Sequence, residues 1–282
     1  MLPQGTEFCS AENANKKLFY RARLLSAFLH FSRSMLHKIR TPAPHFLQGA
    51  LPMKILVIGD SILKGAVTGT DSGHLFDIIE DSSLNLAQKK LGFEMDNQSV
   101  FGNIISKGQR KLNKMLERGE SADFCIVEFC GNDSDYDWAQ VSDNPLQPHL
   151  QRTPLADYLR IYEEMIKILR DNKITPVIMI SPALVADRWF NHITKGHNAG
   201  NILDFLGGDR EKPYKNQKEY DDALLDFARK NNVQYVNMRS AMEESGRFED
   251  LMCLDGIHPN EAGYRFMADI WIKEIPGFKK EF

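Results

Sequence analysis

The feature that most constrains the fold is a regular alternation between short apolar runs and longer amphipathic segments, which begins at Met53. The short runs are apolar at successive positions, as in 55–58, which predicts strands buried on both faces. Strands that alternate with helices predict a parallel sheet covered by helices on both sides. The predicted strands are 54–58, about 93–100, 124–129, 177–180 and 233–238. The predicted helices are 75–91, 107–118, one starting at Thr153-Pro154, 216–231 and 260–274.

Charge is divided unevenly between the first 52 residues and the rest. Residues 1–52 carry seven basic and two acidic side chains, a net of +5, whereas 53–282 carry 28 basic and 36 acidic ones, a net of −8. We therefore expect 1–52 to be a basic extension outside the fold and 53–282 to be one domain. The favoured interpretation is an upstream extension of a cytoplasmic protein with its functional start at Met53. The alternative is a segment for export or organelle targeting, since basic, acid-poor stretches are typical of such signals.

Composition excludes several classes of protein. A hydrophobic share of 43%, with 19 Gly and 12 Pro, argues against disordered and collagen-like chains. The negative net charge argues against a nucleic-acid partner. No run approaches the roughly 18 consecutive apolar residues of a membrane span, so stable membrane insertion is not expected. The four cysteines form no Cys-x-x-Cys pair, which indicates neither a disulfide framework nor a zinc site. No feature indicates an oligomeric state.

Small and polar residues follow the predicted strands, at the edge where open α/β sheets bind ligands. The first strand is followed by Gly59-Asp60-Ser61, the second by Gly102-Asn103 and the third by Gly131-Asn132-Asp133. The sequence Asp255-Gly-Ile-His258 precedes the last helix. Because the carboxyl ends of parallel strands share one edge, we expect these residues to lie close together.

The residue types at this edge suit nucleophilic catalysis on a carbonyl group. A serine hydroxyl such as that of Ser61 needs an adjacent base, and a histidine such as His258 can take its proton. An acceptor such as Asp255 would fix the tautomer of that histidine. The backbone N–H of Gly102 and the side-chain amide of Asn132 are donors that could stabilise an oxyanion.

These four blocks, in this order, resemble those of the SGNH hydrolases, also called GDSL esterases and lipases, over about 53–274. The resemblance implies a flavodoxin-like three-layer α/β/α sandwich with a parallel sheet of about five strands. It implies a catalytic triad of Ser61, His258 and Asp255, with an oxyanion hole formed by Ser61, Gly102 and Asn132. It also implies hydrolysis of a small-molecule carboxylic ester, with no cofactor and no metal. One departure is Cys130, which occupies the position of the usual first glycine of the third block.

Structural explanations remain open for each of these residues. Ser61 could begin a helix, Asp60 and Asn132 could support turns, and His258 could be an ordinary buried histidine. Two other functions compete with the esterase. One is a metal-dependent phosphoester hydrolase with Asp60, Asp133, Asp255 and His258 as ligands, and the other is a non-catalytic ligand-binding module.

Aromatic residues near the motifs are candidates for the substrate pocket. Tyr136 and Trp138 follow the third block, and Trp189 and Phe190 lie in the long segment 182–215. A connection of that length predicts a lid or binding loop. Because ligand pockets are mostly apolar, these four side chains could wall an ester site, although ordinary core packing explains them as well. The expected acyl group is short, such as acetyl.

Overall fold

The computed structural model describes residues 52–69 and 74–282. Over these residues the strands are β1 (Lys54–Ile58), β2 (Ala66–Val67), β3 (Asp77–Ile78), β4 (Glu94–Asn97), β5 (Phe124–Val127), β6 (Thr175–Ile180) and β7 (Gln234–Asn237). The α-helices of the same part are α1 (Ser61–Lys64), α2 (Ser83–Leu91), α3 (Ile105–Glu117), α4 (Trp138–Asp143), α5 (Leu155–Asp171), α6 (Ala186–Ile193), α7 (Ala199–Phe205), α8 (Lys212–Lys230), α9 (Met238–Glu243) and α10 (Glu261–Glu274). Short 3-10 turns occupy Phe248–Leu251 and Ile275–Gly277.

The main sheet has the strand order β4-β1-β5-β6-β7, and every neighbouring pair is parallel. The short strands β2 and β3 form a separate antiparallel pair. The predicted α/β fold with a parallel sheet of about five strands is confirmed. Since β1 lies inside the sheet, between β4 and β5, the motifs that follow these three strands are brought side by side.

Alternate residues of the central strands face two separate apolar clusters. Ile55 and Val57 pack in a cluster built with α2 and α10, whereas Leu56 and Ile58 pack in one built with α3, α5 and α8. Successive strand side chains point to opposite faces, so a strand covered on both sides must be apolar at every position. This requirement explains the uninterrupted apolar runs of the sequence.

The predicted helix over 75–91 is wrong in its first half. Its apolar spacing began with Leu75 and Ile78, which are 71% and 54% exposed and therefore form no buried face. Ile78 instead pairs with Ala66 in the antiparallel β2–β3 pair. The helix begins only at Ser83, after Ser82 in an extended conformation.

Other element boundaries shift by a few residues for identifiable reasons. The strand predicted over 124–129 ends at Val127, because tyrosine hydroxyls take over the backbone hydrogen bonds of Phe129. The N–H of Phe129 donates to the Tyr162 hydroxyl at 3.0 Å, and its carbonyl accepts from the Tyr158 hydroxyl at 2.5 Å. The strands predicted over 93–100 and 233–238 are shortened to β4 and β7, and the helices predicted from 107 and 216 start at 105 and 212.

The segment 182–215 is largely helical rather than a loop. It contains α6 and α7 and the start of α8, whose first turn includes Pro213. Pro182 to Val185 connect β6 to this helical part. Periodicity did not reveal α6 and α7, because at eight and seven residues they are too short for a clear repeat.

The predicted basic extension, 1–52, lies outside the described residues except for Pro52. Over residues 52–69 and 74–282, no helix combines the length and the apolar character needed to cross a membrane.

Candidate active site

The turn after β1 places Ser61 at the first position of α1, where the residue is 7% exposed. Asp60 caps this helix, since its Oδ1 accepts the N–H of Ile62 at 2.8 Å. A side chain at position 59 would place its Cβ 3.0 Å from Oε2 and 3.2 Å from the carbonyl oxygen of Glu128. The turn therefore requires the small residue found in Gly59, and it aims Ser61 beyond the end of the strand.

The loop before α10 brings His258 to Ser61 across 197 residues of chain. The distance between His258 Nε2 and Ser61 Oγ is 2.9 Å, and that between His258 Nδ1 and Asp255 Oδ2 is 2.6 Å. Asp255 Oδ1 also accepts the backbone N–H groups of Ile257 and His258, at 3.1 and 3.2 Å. The carboxylate thus fixes both the loop and the imidazole orientation.

The same contacts set the protonation of Asp255. Burial alone would raise its pKa, but the hydrogen bond to His258, the charge of that residue and the two backbone N–H groups outweigh burial. The net effect lowers the pKa below the ordinary value for an aspartate. A carboxylate that stays ionised next to Nδ1 favours the tautomer in which Nε2 accepts a proton.

Gly102 and Asn132, the predicted oxyanion donors, line the same cleft as Ser61 and His258. Gly102 lies in the turn between β4 and α3 with φ +60°, a left-handed conformation that favours glycine. The Asn132 Nδ2 group donates to Asp60 Oδ2 at 2.9 Å. Because an amide has two hydrogens, one remains for a ligand in the cleft while the other holds the side chain in place.

Asp133 has a structural role, unlike its neighbour Asn132, which lines the cleft. Both of its carboxylate oxygens accept the backbone N–H of Ile105, at 3.1 and 3.3 Å, where α3 begins. Burial raises the pKa of Asp133 to about 7, against the opposing effect of hydrogen bonds from Thr153 and Ile105. Asp133 therefore anchors α3 against the third motif and does not line the cleft.

Glu128 is a buried acid in the cleft floor that the sequence motifs did not identify. It is completely buried, its Oε1 accepts from the Ser181 hydroxyl at 2.5 Å, and its Oε2 accepts the N–H of Asp60 at 3.3 Å. Burial and the nearby Asp60 carboxylate raise the pKa of Glu128 well above its usual range, which favours the protonated acid. Burial also raises the pKa of Asp60, against the hydrogen bond from Ile62. The sequence signal that could have identified Glu128 is that it is the single charged residue within the apolar run 124–129.

The predicted substrate residues fall into two groups. Trp189 lines the cleft, which has a volume of about 310 Å³. Tyr136 lines a narrow second cavity that adjoins it. Trp138 and Phe190 are buried in an apolar cluster with α7 and line neither cavity. Contact of these four side chains with a substrate stays a prediction.

Several lining residues had no recognisable signal in the sequence. They are Phe76, Phe101, Ser181, Pro182, His192, Gln217 and Ile257. Phe76 packs edge-on against the His258 ring at 5.5 Å between ring centroids, and His192 stacks on Trp189 at 5.3 Å. Their positions depend on tertiary packing, which no local motif encodes.

The ligand set proposed for a metal is not assembled. Asp60 and Asp133 bind backbone or amide N–H groups, and Asp255 binds His258. In the described part of the chain, no three His, Cys, Asp or Glu side chains group in a way that could hold a metal ion. Cys130 is buried, and burial raises the pKa of its thiol well above the usual range, which is typical of an inert cysteine.

Similarity to known proteins extends over most of the chain. The sequence profile of the GDSL-like Lipase/Acylhydrolase family matches residues 57–266. No curated protein matches the chain in sequence.

Solved structures of low sequence identity share the fold. A lipase/acylhydrolase from Enterococcus faecalis superposes with a TM-score of 0.58 at 18% identity, over 82% of this chain and 99% of that one. A lipolytic G-D-S-L family member from Veillonella parvula gives 0.56 at 13% identity, over 80% and 100%. A catalytic mutant of an acetylxylan esterase from Geobacillus stearothermophilus gives 0.54 at 16% identity, over 81% and 97%. The solved structures share the fold, and the profile match over residues 57–266 shows that the chain belongs to the GDSL-like lipase/acylhydrolase family.

Proposed function

We propose that the chain hydrolyses esters of short carboxylic acids, with O-acetyl esters favoured, through an acyl-enzyme formed on Ser61. The observation that carries the proposal is the continuous hydrogen-bonded path from Ser61 Oγ to His258 Nε2 at 2.9 Å and from His258 Nδ1 to Asp255 at 2.6 Å. A serine hydroxyl in contact with a neutral imidazole nitrogen loses its proton as it attacks a carbonyl carbon.

In the first half of the reaction, Ser61 Oγ bonds to the ester carbonyl carbon while its proton passes to His258 Nε2. The negative oxygen of the tetrahedral intermediate accepts from the N–H groups of Ser61 and Gly102 and from the free amide hydrogen of Asn132. His258 then gives the proton to the departing alcohol oxygen, and the acyl group remains on Ser61.

In the second half, a water molecule takes the place of the alcohol. His258 accepts a proton from that water as the oxygen attacks the acyl carbonyl, and the same three donors hold the oxyanion. Collapse of this intermediate returns the proton to Ser61 and releases the acid. The residues present complete the cycle without a cofactor.

The size of the cleft supports a short acyl group. A volume of about 310 Å³ must hold the whole reacting part of the ester, and it lies at the lower end of the range usual for small-molecule sites. The acetylxylan esterase with the same fold acts on an acetyl ester, which agrees with this choice.

The test compares the hydrolysis of 4-nitrophenyl acetate, butyrate and octanoate by the full chain and by Ser61→Ala and His258→Ala. We expect each substitution to lower kcat by about 10³-fold or more on the acetate, because the nucleophile or its base is lost. Ser121→Ala, at an exposed serine, is the matched control and should retain full activity.

Two further readouts separate the alternatives. Brief incubation with the acetate, followed by acid quenching and mass analysis, should find one added acetyl group on the peptide that contains Ser61. Activity should persist in the presence of EDTA. Retained activity in Ser61→Ala would exclude the mechanism, and loss of activity to EDTA would favour the metal-dependent hydrolase.

A further inference from the structure

Glu128 and Asp60 lie side by side because the strands that precede them are neighbours in the sheet. Ile58 of β1 pairs with Val127 of β5, and the N–H of Glu128 donates to the Ile58 carbonyl at 3.0 Å just beyond the strand. Both acids line the cleft, and Glu128 Oε2 accepts the N–H of Asp60 at 3.3 Å. A hydrogen bond also joins their two carboxyl groups. The sheet therefore places a pair of acids between the first and third motifs.

The contacts of this pair determine which of the two acids carries a proton. Two carboxylates in contact inside a protein do not both stay ionised, so the pair holds one proton. Burial raises the pKa of Asp60, but the hydrogen bond from Ile62 and the charge of His258 oppose that effect. For Glu128, burial and the adjacent Asp60 carboxylate both raise the pKa. The proton is therefore held by Glu128, which donates it to Asp60.

Other titratable side chains within electrostatic reach of the pair come from several elements. They are His258 of the loop before α10, Asp133 of the third motif, Tyr162 of α5 and Tyr264 of α10. Burial raises the pKa of both tyrosines well above the usual range, so their hydroxyls stay neutral. Of this set only the histidine can become a cation, and its effect is to favour negative charge on Asp60.

The charge of Asp60 determines which end of the Asn132 amide is held against it. The ionised Oδ2 accepts from Asn132 Nδ2 at 2.9 Å, and the second hydrogen on that nitrogen is then available in the cleft. A protonated Asp60 would instead donate to the amide oxygen and turn the amide over. The cleft would then receive a lone pair, which repels an oxyanion. An oxyanion hole that uses Asn132 thus requires the proton to be on Glu128.

We propose that Glu128 is a positioning residue for the oxyanion hole: its carboxyl group donates to Asp60, and the ionised Asp60 holds the Asn132 amide with one N–H directed into the cleft. This assignment rests on the proposed function, because it presumes that Asn132 binds the oxyanion. Glu128 acts through Asp60 and does not bond to the substrate. Its proton stays in place through the cycle, whereas His258 carries the proton that moves.

A double-mutant cycle tests whether Glu128 acts through Asn132. The kcat on 4-nitrophenyl acetate is measured for the full chain, Glu128→Met, Asn132→Ala and the double variant. Methionine has a similar length but no hydrogen to donate to a carboxylate. We expect Asn132→Ala to lower kcat by about 10²–10³-fold and Glu128→Met to lower it at least tenfold. In the Asn132→Ala background, Glu128→Met should change kcat by less than about twofold, since no amide is left to orient.

Two further variants separate positioning from stability. Glu128→Gln retains an N–H that can donate to Asp60, so its kcat should stay within about threefold of that of the full chain. Leu169→Ala is the control for lost stability, because this residue is fully buried where α5 ends, and its carbonyl accepts the N–H of Ile174 at the amino end of β6, away from the cleft. It should keep kcat when rates are corrected for the folded fraction from urea unfolding.

The outcomes distinguish this inference from the proposed function. An equal loss from Glu128→Met with and without Asn132, or no loss at all, would overturn the positioning role and leave the triad untouched. Full activity in Asn132→Ala would overturn the oxyanion hole itself. Full activity in Ser61→Ala would overturn the acyl-enzyme mechanism.

Infrared difference spectroscopy locates the proton without turnover, because the carbonyl stretch of a protonated carboxyl lies apart from the bands of carboxylates. The spectrum of Glu128→Gln is subtracted from that of the full chain at pH 8, above the pKa values of about 6 to 7 of the other buried aspartates. We expect the difference to contain one protonated carboxyl band. Asp60→Asn should retain this band. Absence of the band from the difference, or its loss in Asp60→Asn, would place the proton on Asp60 and contradict the assignment.

Discussion

At the scale of single residues, the cleft contains two buried acids in contact, and burial raises the pKa of both. Asp60 accepts from the N–H of Ile62 and the amide of Asn132, which are contacts that favour a carboxylate. Within the described residues, Glu128 contacts Ser181 and Asp60 but no cation, so we expect it to carry the shared proton. A protonated Glu128 accepts from the Ser181 hydroxyl and from the N–H of Asp60, and its own hydrogen is left to donate to the Asp60 carboxylate.

This protonation state predicts how substitutions of Glu128 affect stability. Glu128→Gln keeps one donor and one acceptor in a neutral group of the same size, so the free energy of unfolding should change by less than about 1 kcal/mol. Glu128→Ala removes partners from the Asp60 N–H and the Ser181 hydroxyl and leaves a void, and should cost about 2–5 kcal/mol. Urea unfolding of the three proteins measures both values. A Gln variant as unstable as the Ala variant would mean that Glu128 is ionised in the fold.

Site residues with a local sequence signature were predictable from the sequence, whereas those without one were not. Ser61, Gly102, Asn132 and His258 sit in short motifs at strand ends, and the structure brings them to one cleft. His192 belongs to none of these motifs, yet it lines the same cleft. Its position depends on how α6 packs against the loop of Asp255, and no pattern within α6 specifies that contact.

At the scale of elements, the contact between α3 and the end of β5 is unusually close. A Cβ at Gly108 of α3 would lie 2.2 Å from Cζ of Phe129, which begins the connection from β5 to Asn132. The aromatic ring thus occupies the space that a helix side chain would need. Glycine at this position lets α3 sit directly on the strand end that carries the third motif.

Gly108→Ala tests this contact. Alanine has the higher helix propensity, so an exposed site would gain stability, but here Phe129 must move. We expect a loss of about 1–3 kcal/mol in the free energy of unfolding, together with a lower kcat on 4-nitrophenyl acetate as the chain near Asn132 shifts. Lys107→Ala, at the exposed neighbouring position of the same helix, is the control for propensity. Stability equal to or above that of the control would refute the close contact.

Secondary structure was predictable where periodicity reflects burial on both sides of the sheet, as in 55–58. It failed at Leu75 and Ile78, whose spacing imitates a helix although both side chains face solvent. It also failed within 182–215, because α6 and α7 are too short for a repeat to stand out in the sequence. Both helices pack in the apolar cluster that contains Tyr136 and Trp138.

At the scale of the whole molecule, the chain is a carboxylic ester hydrolase of the GDSL type, and its fold buries several acids. Burial raises the pKa of Asp133 and of Asp135 to about 7 and that of Asp221 to about 6. Asp221 forms a 2.6 Å ion pair with the buried Arg239, which offsets part of its burial. The folded chain therefore binds more protons near pH 5 than the unfolded chain does.

The sign of the resulting pH dependence follows from linkage. Where the folded state binds more protons than the unfolded state, the free energy of unfolding falls as pH rises. We expect the full chain to be more stable at pH 5 than at pH 8, because the stabilisation is lost progressively from the ordinary aspartate pKa of 3.8 up to the folded values of about 6 to 7. The lowered pKa of His192 acts in the opposite direction but belongs to one half-buried group. Urea unfolding at the two pH values is the measurement, and equal or greater stability at pH 8 would refute it.

The contact between α6 and the loop of His258 affects how substitutions in the cleft wall can alter the enzyme. The Gly256 carbonyl accepts the N–H of Val185 at 2.7 Å, and a Cβ at Gly256 would lie 2.7 Å from the backbone N of Trp189. The helix that carries the cleft wall and the loop that carries the imidazole therefore touch backbone to backbone. We therefore expect substitutions that reshape this wall to alter substrate preference and the rate of turnover together.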